Sequence, residues 1–380
     1  MSGTTEAAGS ARRPAGTWLG AVLPGAAQLR AGRWRAGLAA LGLWASLLAV
    51  LAWRADRVRG AWRGAADERL AVLTLAFGLA AVWLWAWRDA RRGARPASGA
   101  RRAGRTLRAF ARDRTAMLGL CTVVALYLVA LLAPLLAPFD PDRQLSLGAA
   151  RYLPPSWTHP LGTDNLSRDV LSRLLYGARI SLTIGFVAVA LSVTIGTVLG
   201  AVAGYVGGRL DAVVMRTVDV VLAFPRLVLL ITIVALFEPS VLLIVVVLGL
   251  TLWPSTTRLV RGEVLSLRER DVVVAAEALG FSRRRVVLRH LVPNALGPVI
   301  VAATLGIGDT IVLEAGLSFL GLGVQAPTAS WGAMVDAGRA NLLGAWWIST
   351  FPGLAIVFTV LAFNLVGDGL RDALDPRLRR

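Results

Sequence analysis

Few side chains in this chain could carry out covalent or metal chemistry. Its 380 residues include one cysteine, Cys121, and two histidines, His159 and His290, which are far apart in sequence. Cys121 lies within an apolar run, which is typical of a small buried hydrophobic residue, and a single cysteine cannot form an intrachain disulfide. The two histidines lack the short spacing of metal ligands, so we predict no metal site made by this chain alone.

The sequence also lacks a phosphate-binding loop. The glycine-rich stretch at 204–208 does not end in the Gly-Lys-Ser or Gly-Lys-Thr of a P-loop. We therefore predict that the chain is not an enzyme, that it binds no cofactor itself, and that any nucleotide hydrolysis belongs to another protein.

The composition places the chain in a lipid bilayer. Hydrophobic residues make up 56% of the sequence and the mean hydropathy is +0.63, above the roughly 45–50% apolar content of ordinary soluble domains. The net charge of +18 would suit a nucleic-acid partner. However, the arginines cluster between apolar runs, as the positive-inside rule expects of a membrane protein. We therefore predict an integral membrane protein that does not bind nucleic acid.

Eight apolar runs approach the length of about 20 residues that crosses a bilayer. They predict an all-α integral membrane protein with a six-helix core, preceded by a two-helix hairpin with tryptophans near the ends of its runs. The segment 1–100 is then an accessory domain and 101–380 the core. The runs lie at 36–53, 70–87, 116–138, 180–203, 218–237, 241–257, 296–313 and 348–366.

The arginine distribution predicts the orientation of these spans. Residues 88–114 hold ten arginines against two acids, which is typical of a cytoplasmic linker, with contact to anionic headgroups as an alternative. The stretch 258–295 carries a net charge of +4 and 314–347 carries −1, as an inner and an outer loop would. Both termini are predicted to be cytoplasmic. The remaining connections follow by alternation: 139–179 and 238–240 outside, 204–217 inside.

One predicted inner segment, 271–293, has the pattern of a docking surface. Val272, Ala276 and Leu279 lie at i, i+4 and i+7, which predicts a narrow apolar stripe on a helix. Gly280 is a natural helix C-cap and Ser282 a natural N-cap for a second helix. An apolar centre with a charged rim is typical of an interface, so we predict a soluble partner. The alternative is an ordinary amphipathic surface loop. Its basic residues are Arg283, Arg284, Arg285 and Arg289.

Several sequence blocks, taken in order, carry a family resemblance. From about residue 115 to the C-terminus the chain resembles the inner-membrane permease subunits of binding-protein-dependent ABC importers. Within them it is most similar to the second permease subunit of the dipeptide, oligopeptide and nickel branch. The blocks are HPLGTD at 159–164, RDVLSR at 168–173, YGARISL at 176–182, AGY at 203–205 followed by GG at 207–208, LSFLGLG at 317–323, SWG at 330–332, and NL at 364–365 followed by GDGLRD at 367–372.

The resemblance implies that 258–295 contains the coupling loop on which a cytoplasmic ATPase acts. The family pattern is Glu-Ala-Ala, three residues, Gly, and a Pro thirteen positions after the Gly. The leading Glu is absent because position 274 is Val, and Glu277 cannot be assumed to replace it. We predict that 275–280 binds in a groove of the ATPase. The predicted coupling residues are Ala275, Ala276, Glu277, Gly280, Arg284 and Pro293.

The resemblance also implies the partners and the setting. Two homologous permease subunits would enclose a substrate path in a prokaryotic cell membrane. Two cytoplasmic ATPases would use ATP, and an external solute-binding protein would deliver the cargo. Peptides are the expected cargo, with nickel or another small solute as the alternative. A secondary transporter or a membrane scaffold without transport activity are rival interpretations.

Two acids near one apolar run are candidates for the substrate path, since intramembrane acids are costly and often functional. Asp309 stands where the family usually has a small residue. It could face the path and favour substrates with a positive group, such as a peptide amino end. The alternatives are pairing with an arginine of a partner subunit and exposure to water. Glu314 stands where the family commonly has Glu, which favours a structural role.

Overall fold

The second half of the chain is a helical bundle. The computed structural model describes residues 109–145 and 150–374, with single residues and short stretches between 29 and 80. The chain divides into two compact units, Met1–Arg101 with Pro134–Leu136, and Arg102–Ala133 with Ala137–Arg380; all that follows concerns the second. In chain order the helices are α1 Arg114–Leu131, α2 Ala133–Leu136, α3 Val170–Val206, α4 Gly208–Ala223, α5 Arg226–Val234, α6 Val241–Arg268, α7 Asp271–Ala278, α8 Arg283–Val286, a π-helical turn Val287–Leu291, α9 Val292–Phe319, α10 Trp331–Arg339 and α11 Trp347–Leu374. All but α2 belong to the second unit.

The predicted all-α membrane architecture is confirmed. Five segments of the described chain are long and apolar enough to cross a bilayer, and six are if α4 and α5 count as one span. The predicted six-span core therefore agrees with the count of six, in which α4 and α5 form one span. The predicted hairpin at 36–53 and 70–87 falls largely outside the described residues, so the total of eight spans and the 1–100 accessory domain remain predictions.

The first helix of the core begins close to where the sequence places it. Asp113 caps α1, accepting hydrogen bonds from the Thr115 hydroxyl at 2.7 Å and from the Thr115 amide at 2.9 Å. These bonds favour the carboxylate form. The hydroxyl of Thr115, and then the amides of Ala116 and Thr115, therefore hold the pKa of Asp113 below its usual value.

Several predicted spans were too short. Helix α3 begins ten residues before the predicted 180, and α6 continues through 258–268, which we had predicted to be part of a cytoplasmic loop. The reason is packing, because Val260, Val264 and Leu267 are buried at helical spacing. A helix ends where its backbone partners and packing end, and these helices extend past the apolar run.

The predicted single span at 218–237 is instead a bent pair of helices. Helices α4 and α5 meet at an angle of 86°. Pro225 accounts for the break, since proline cannot continue a helix and keeps the preceding residue extended; Phe224 has ψ 134°. The predicted connector at 204–217 is also wrong, because it is helical except for Gly207, which has φ +70°.

A row of small residues lies at the interface between helices α3 and α6, which we call the glycine seam. Gly196, Gly200 and Gly204 recur at every fourth position of α3. A Cβ added at Gly200 would lie 2.5 Å from the Thr257 carbonyl oxygen and 2.8 Å from Val260 Cβ. Such repeats allow the close backbone approach on which helix packing in lipid depends. The Gly-x-x-x-Gly spacing of α3 is the signal in the sequence that indicates this seam.

A buried polar network fixes the start of α3. Asp169 caps the helix through the Ser172 amide at 2.8 Å and also contacts His159 Nδ1 at 3.0 Å. Arg168 Nε donates to Asp164 Oδ2 at 2.7 Å, and both side chains are almost completely buried. Most of the charged side chains at 159–173 are therefore paired within the chain, which gives these polar blocks an architectural role.

Candidate functional site

The 271–293 segment forms two short helices separated by a glycine turn. Gly280 has φ +78°, and the Phe281 amide donates to the Ala276 carbonyl at 3.1 Å across it. This bond is the mark of a glycine C-cap, so the predicted role of Gly280 in the backbone is confirmed. Ser282 precedes α8 in extended geometry, as predicted, but its side chain makes no capping bond. Pro293 lies in the first turn of α9, where proline is tolerated.

The inner face of this loop packs on the helical bundle. Val273 and Ala276 are 5% and 2% exposed. They belong to one apolar cluster with α3, α6, α8 and α9, whose members include Ala201, Val264 and Val299. The inner face of α7 is therefore part of the same apolar cluster as residues of three long helices, α3, α6 and α9.

The predicted apolar stripe is wrong in its direction. Ala276 faces the chain's own core and Leu279 is 75% exposed, so the two do not share a face. The reason is that Val273 and Ala276, three residues apart, already form the inward side of this short helix. Apolar side chains that face outward include Val274, Ala275 and Leu279, with Val274 56% exposed. We call these three residues the exposed loop surface.

Position 274, where the resembling family has Glu, therefore lies on the outward side of the loop. Valine there extends an apolar surface in place of a charge. The side chains of Val272 and Glu277 lie outside the described part of the structure, and the prediction for Glu277 remains open.

A basic rim adjoins the exposed loop surface. Arg284 is exposed as predicted. The Arg285 guanidinium lies 4.8 Å from the centre of the Phe281 ring. The His290 ring stacks on the same Phe281 ring, with centroids 6.2 Å apart. This contact between α8, the turn and the π-helical segment gives the second half of the loop a defined shape.

The two acids of the candidate path have different surroundings. Asp309 is exposed and lines a cavity of about 250 Å³ between α3, α6 and α9. Glu314 is fully buried, accepting hydrogen bonds from Ser318 at 2.8 Å and Ser181 at 3.3 Å. Asp309 thus faces a cavity, whereas Glu314 joins α9 to α3, which favours the structural role.

The sequence analysis missed one residue of this cavity, Arg226. It is the first residue of α5, follows the break at Pro225, and lines the same cavity as Asp309. The available signal was an arginine inside the predicted span 218–237, because charges within spans are rare and often functional.

The reactive side chains do not come together. Cys121 is exposed on α1, so the prediction of a buried cysteine is wrong; its helix packs through other faces. His159 pairs with Asp169, and His290 lies beside Phe281. Among the described residues, no group of three or more His, Cys, Asp or Glu could hold a metal ion.

Comparison with known families matches two successive segments of the chain. Residues 196–380 match the binding-protein-dependent transport system inner membrane component, and residues 102–155 match the N-terminal membrane domain of oligopeptide transport permease C. The dipeptide transport permease DppC of Haemophilus influenzae is 42% identical over 71% of this chain and 93% of its own length. The chain belongs to the family of binding-protein-dependent transport permeases.

Other relatives agree with this assignment. DppC of Escherichia coli K12 is 45% identical to the permease over 71% of this chain and 92% of its own. The oligopeptide permease OppC of Bacillus subtilis is 41% identical over 71% and 88%. The solved inward-facing MetNI methionine ABC transporter aligns with 54% of this chain at 19% identity and a TM-score of 0.44, which is too low to carry an argument. The predicted resemblance is therefore confirmed: the permease is a multi-pass transport component of the inner membrane.

Proposed function

We propose that this permease forms half of the substrate path of an ATP-driven importer of short peptides, and that its exposed loop surface is the contact for a cytoplasmic ATPase. The full machine then holds a second homologous permease, two ATPases and an external solute-binding protein. The chain supplies no ATPase site, and both of its termini lie in the cytoplasm. The relatives named for dipeptide and oligopeptide transport support peptides as the cargo.

The observation that carries the coupling role is the two-sided loop. Its inward residues Val273 and Ala276 pack with α3, α6 and α9, while Val274 and Leu279 face away from the bundle. A largely exposed leucine next to arginines is typical of a binding surface that lacks its partner. If a bound ATPase moved, the loop and the helices packed with it would therefore move together.

Val274 gives this contact a particular chemistry. Where a Glu would require a basic group on the ATPase, the valine requires an apolar one. We therefore assign to the ATPase groove an apolar centre with acidic groups around it, which face the arginines of the rim.

The coupling role is tested by Leu279→Ser in the assembled importer. Leu236 offers a matched control because it has the same 75% exposure at the far end of α5. Burial of a leucine is worth about 1.5–3 kcal/mol, so Leu279→Ser should weaken ATPase binding about tenfold or more and lower peptide-stimulated ATP hydrolysis. Leu236→Ser should leave both unchanged. Equal behaviour of the two variants would refute the docking assignment, and peptide uptake without ATP would indicate a secondary transporter.

A further inference from the structure

The cavity beside Asp309 carries two opposite charges. Asp309 enters it from α9 and Arg226 from the start of α5. Ser192, Ser255 and Thr256 add hydroxyl groups, and the rest of the lining is mainly apolar, including Val189 and Leu252. Asp309 lies ten residues before the end of α9, about 15 Å along the helix axis. It therefore lies within a segment that is long and apolar enough to cross a bilayer.

Neither charge has an ionic partner within the described part of the chain. Asp309 and Arg226 are both exposed, and they do not form a salt bridge with each other. Other arginines of the same region are paired, such as Arg261 with Asp211 at 2.5 Å and Arg258 with Asp219 at 2.7 Å. An unpaired charge within a membrane-spanning segment is expensive unless it faces water or a ligand. The lining is therefore suited to a molecule that brings both complementary charges.

The bent pair of helices adds to the positive end of the cavity. Because Pro225 separates α4 from α5, the nine-residue α5 has an N-terminus of its own at Arg226. No side chain caps it, so its first amides are available to an anionic group, as is the positive end of the helix dipole. Arg226 and the start of α5 thus offer a carboxylate both a charge and hydrogen-bond donors.

We propose that this cavity is a transit site for zwitterionic peptides, in which Asp309 binds the amino end and Arg226 binds the carboxylate end. The inference rests on the proposed function, since it assumes that the cargo is a peptide. The volume of about 250 Å³ lies just below the roughly 300–1,000 Å³ of ligand pockets, which suits a small peptide of about two residues. A metal cation fits poorly, because one carboxylate is too few ligands and Arg226 repels it.

The test compares three forms of one dipeptide, alanyl-phenylalanine: unmodified, N-acetylated and C-amidated. Uptake is measured in vesicles that hold the complete importer, and binding is measured with the permease pair in nanodiscs without the solute-binding protein. The preference for the free over the acetylated peptide reports on the amino end, and that for the free over the amidated peptide on the carboxylate end. A ratio of two peptides for one variant does not depend on how much folded protein is present.

Asp309→Asn should reduce the free-to-acetylated preference about tenfold and leave the free-to-amidated preference intact, because it removes one charge-assisted contact. Arg226→Gln should do the reverse, and Asp309→Glu should restore the wild-type preference. Two exposed residues that do not line the cavity serve as controls of the same chemistry, Asp368→Asn and Arg216→Gln, and both should keep both preferences.

The outcomes separate this inference from the proposed function. If the wild-type importer takes up peptides with ATP but neither variant changes either preference, the transit site is refuted and the peptide importer stands. If both variants change both preferences alike, the assignment of one charge to each end is refuted. If the wild type takes up no peptide at all, the proposed cargo fails and the transit site fails with it.

Discussion

The glycine seam between α3 and α6 gives a sharp test of how this bundle is held together. Gly200→Ala adds one methyl group that would lie 2.5 Å from the Thr257 carbonyl oxygen, a backbone atom that cannot rotate away. The helices must separate by about 1 Å before that contact reaches the 3.4 Å of ordinary packing. The neighbouring glycines at 196 and 204 are packed almost as tightly, so the strain cannot be relieved by a small local tilt.

The expected magnitude follows from two opposing effects. Overpacking a tight contact costs about 1–3 kcal/mol, while replacing a helical glycine by alanine gains about 0.5–1 kcal/mol. The net effect of Gly200→Ala is thus a loss of up to about 2.5 kcal/mol in the free energy of unfolding. Gly262, in the interior of α6, is the matched control, because nothing lies within 4 Å of a Cβ added there. Gly262→Ala should gain about 0.5–1 kcal/mol.

The assay is unfolding of the purified permease in detergent, with heat or added denaturing detergent, for both variants and the wild type. The midpoint should fall for Gly200→Ala and should not fall for Gly262→Ala. Equal midpoints for the two alanine variants would refute the seam, since both make the same chemical change in helices of the same bundle.

Two further substitutions test the loop and the buried acid. Gly280→Ala should lower ATPase coupling and destabilise the loop by about 1–2 kcal/mol, because the φ of +78° at this position disfavours a Cβ. Gly280→Asn should recover much of the loss. If the alanine variant coupled to the ATPase as well as the wild type does, the C-cap role would be contradicted. Glu314→Ala should lower the unfolding midpoint by removing the acceptor of the Ser181 and Ser318 hydroxyls, at about 2–4 kcal/mol. Glu314→Gln keeps an acceptor and should retain peptide preference; a changed preference would place Glu314 in the path after all.

The membrane class and the core spans were accessible from sequence because they depend on composition along the chain. Runs of apolar residues must be covered by lipid or protein, and arginines between them mark connections, whatever the final packing. The turn at Gly280 was also accessible, since a glycine C-cap is a local backbone property. Helix ends were less accessible: α6 continues to Arg268 because Val260 and Val264 pack into the bundle.

The direction of side chains could not be read from the sequence. Helical spacing placed Val272, Ala276 and Leu279 on one predicted stripe, yet Ala276 is buried and Leu279 is exposed. A helix of only eight residues carries too little periodicity to fix which side its neighbours cover. Likewise, the sequence separated Asp309 from Glu314 only by resemblance to the family, and their surroundings became visible only in the tertiary structure. Glu314 meets serines of its own chain, whereas Asp309 meets a cavity.

By itself, the sequence determined that this protein is a helical membrane protein of a transport family, with a glycine turn at Gly280 between two short helices. Those properties follow from local composition and from motifs that each lie within a few residues. The tertiary structure alone decided which surface of the loop is free and how α3 and α6 approach each other. It also decided that Arg226 and Asp309, 83 positions apart in the chain, share one cavity. Such pairings depend on contacts between distant helices, and no local pattern in the sequence encodes them.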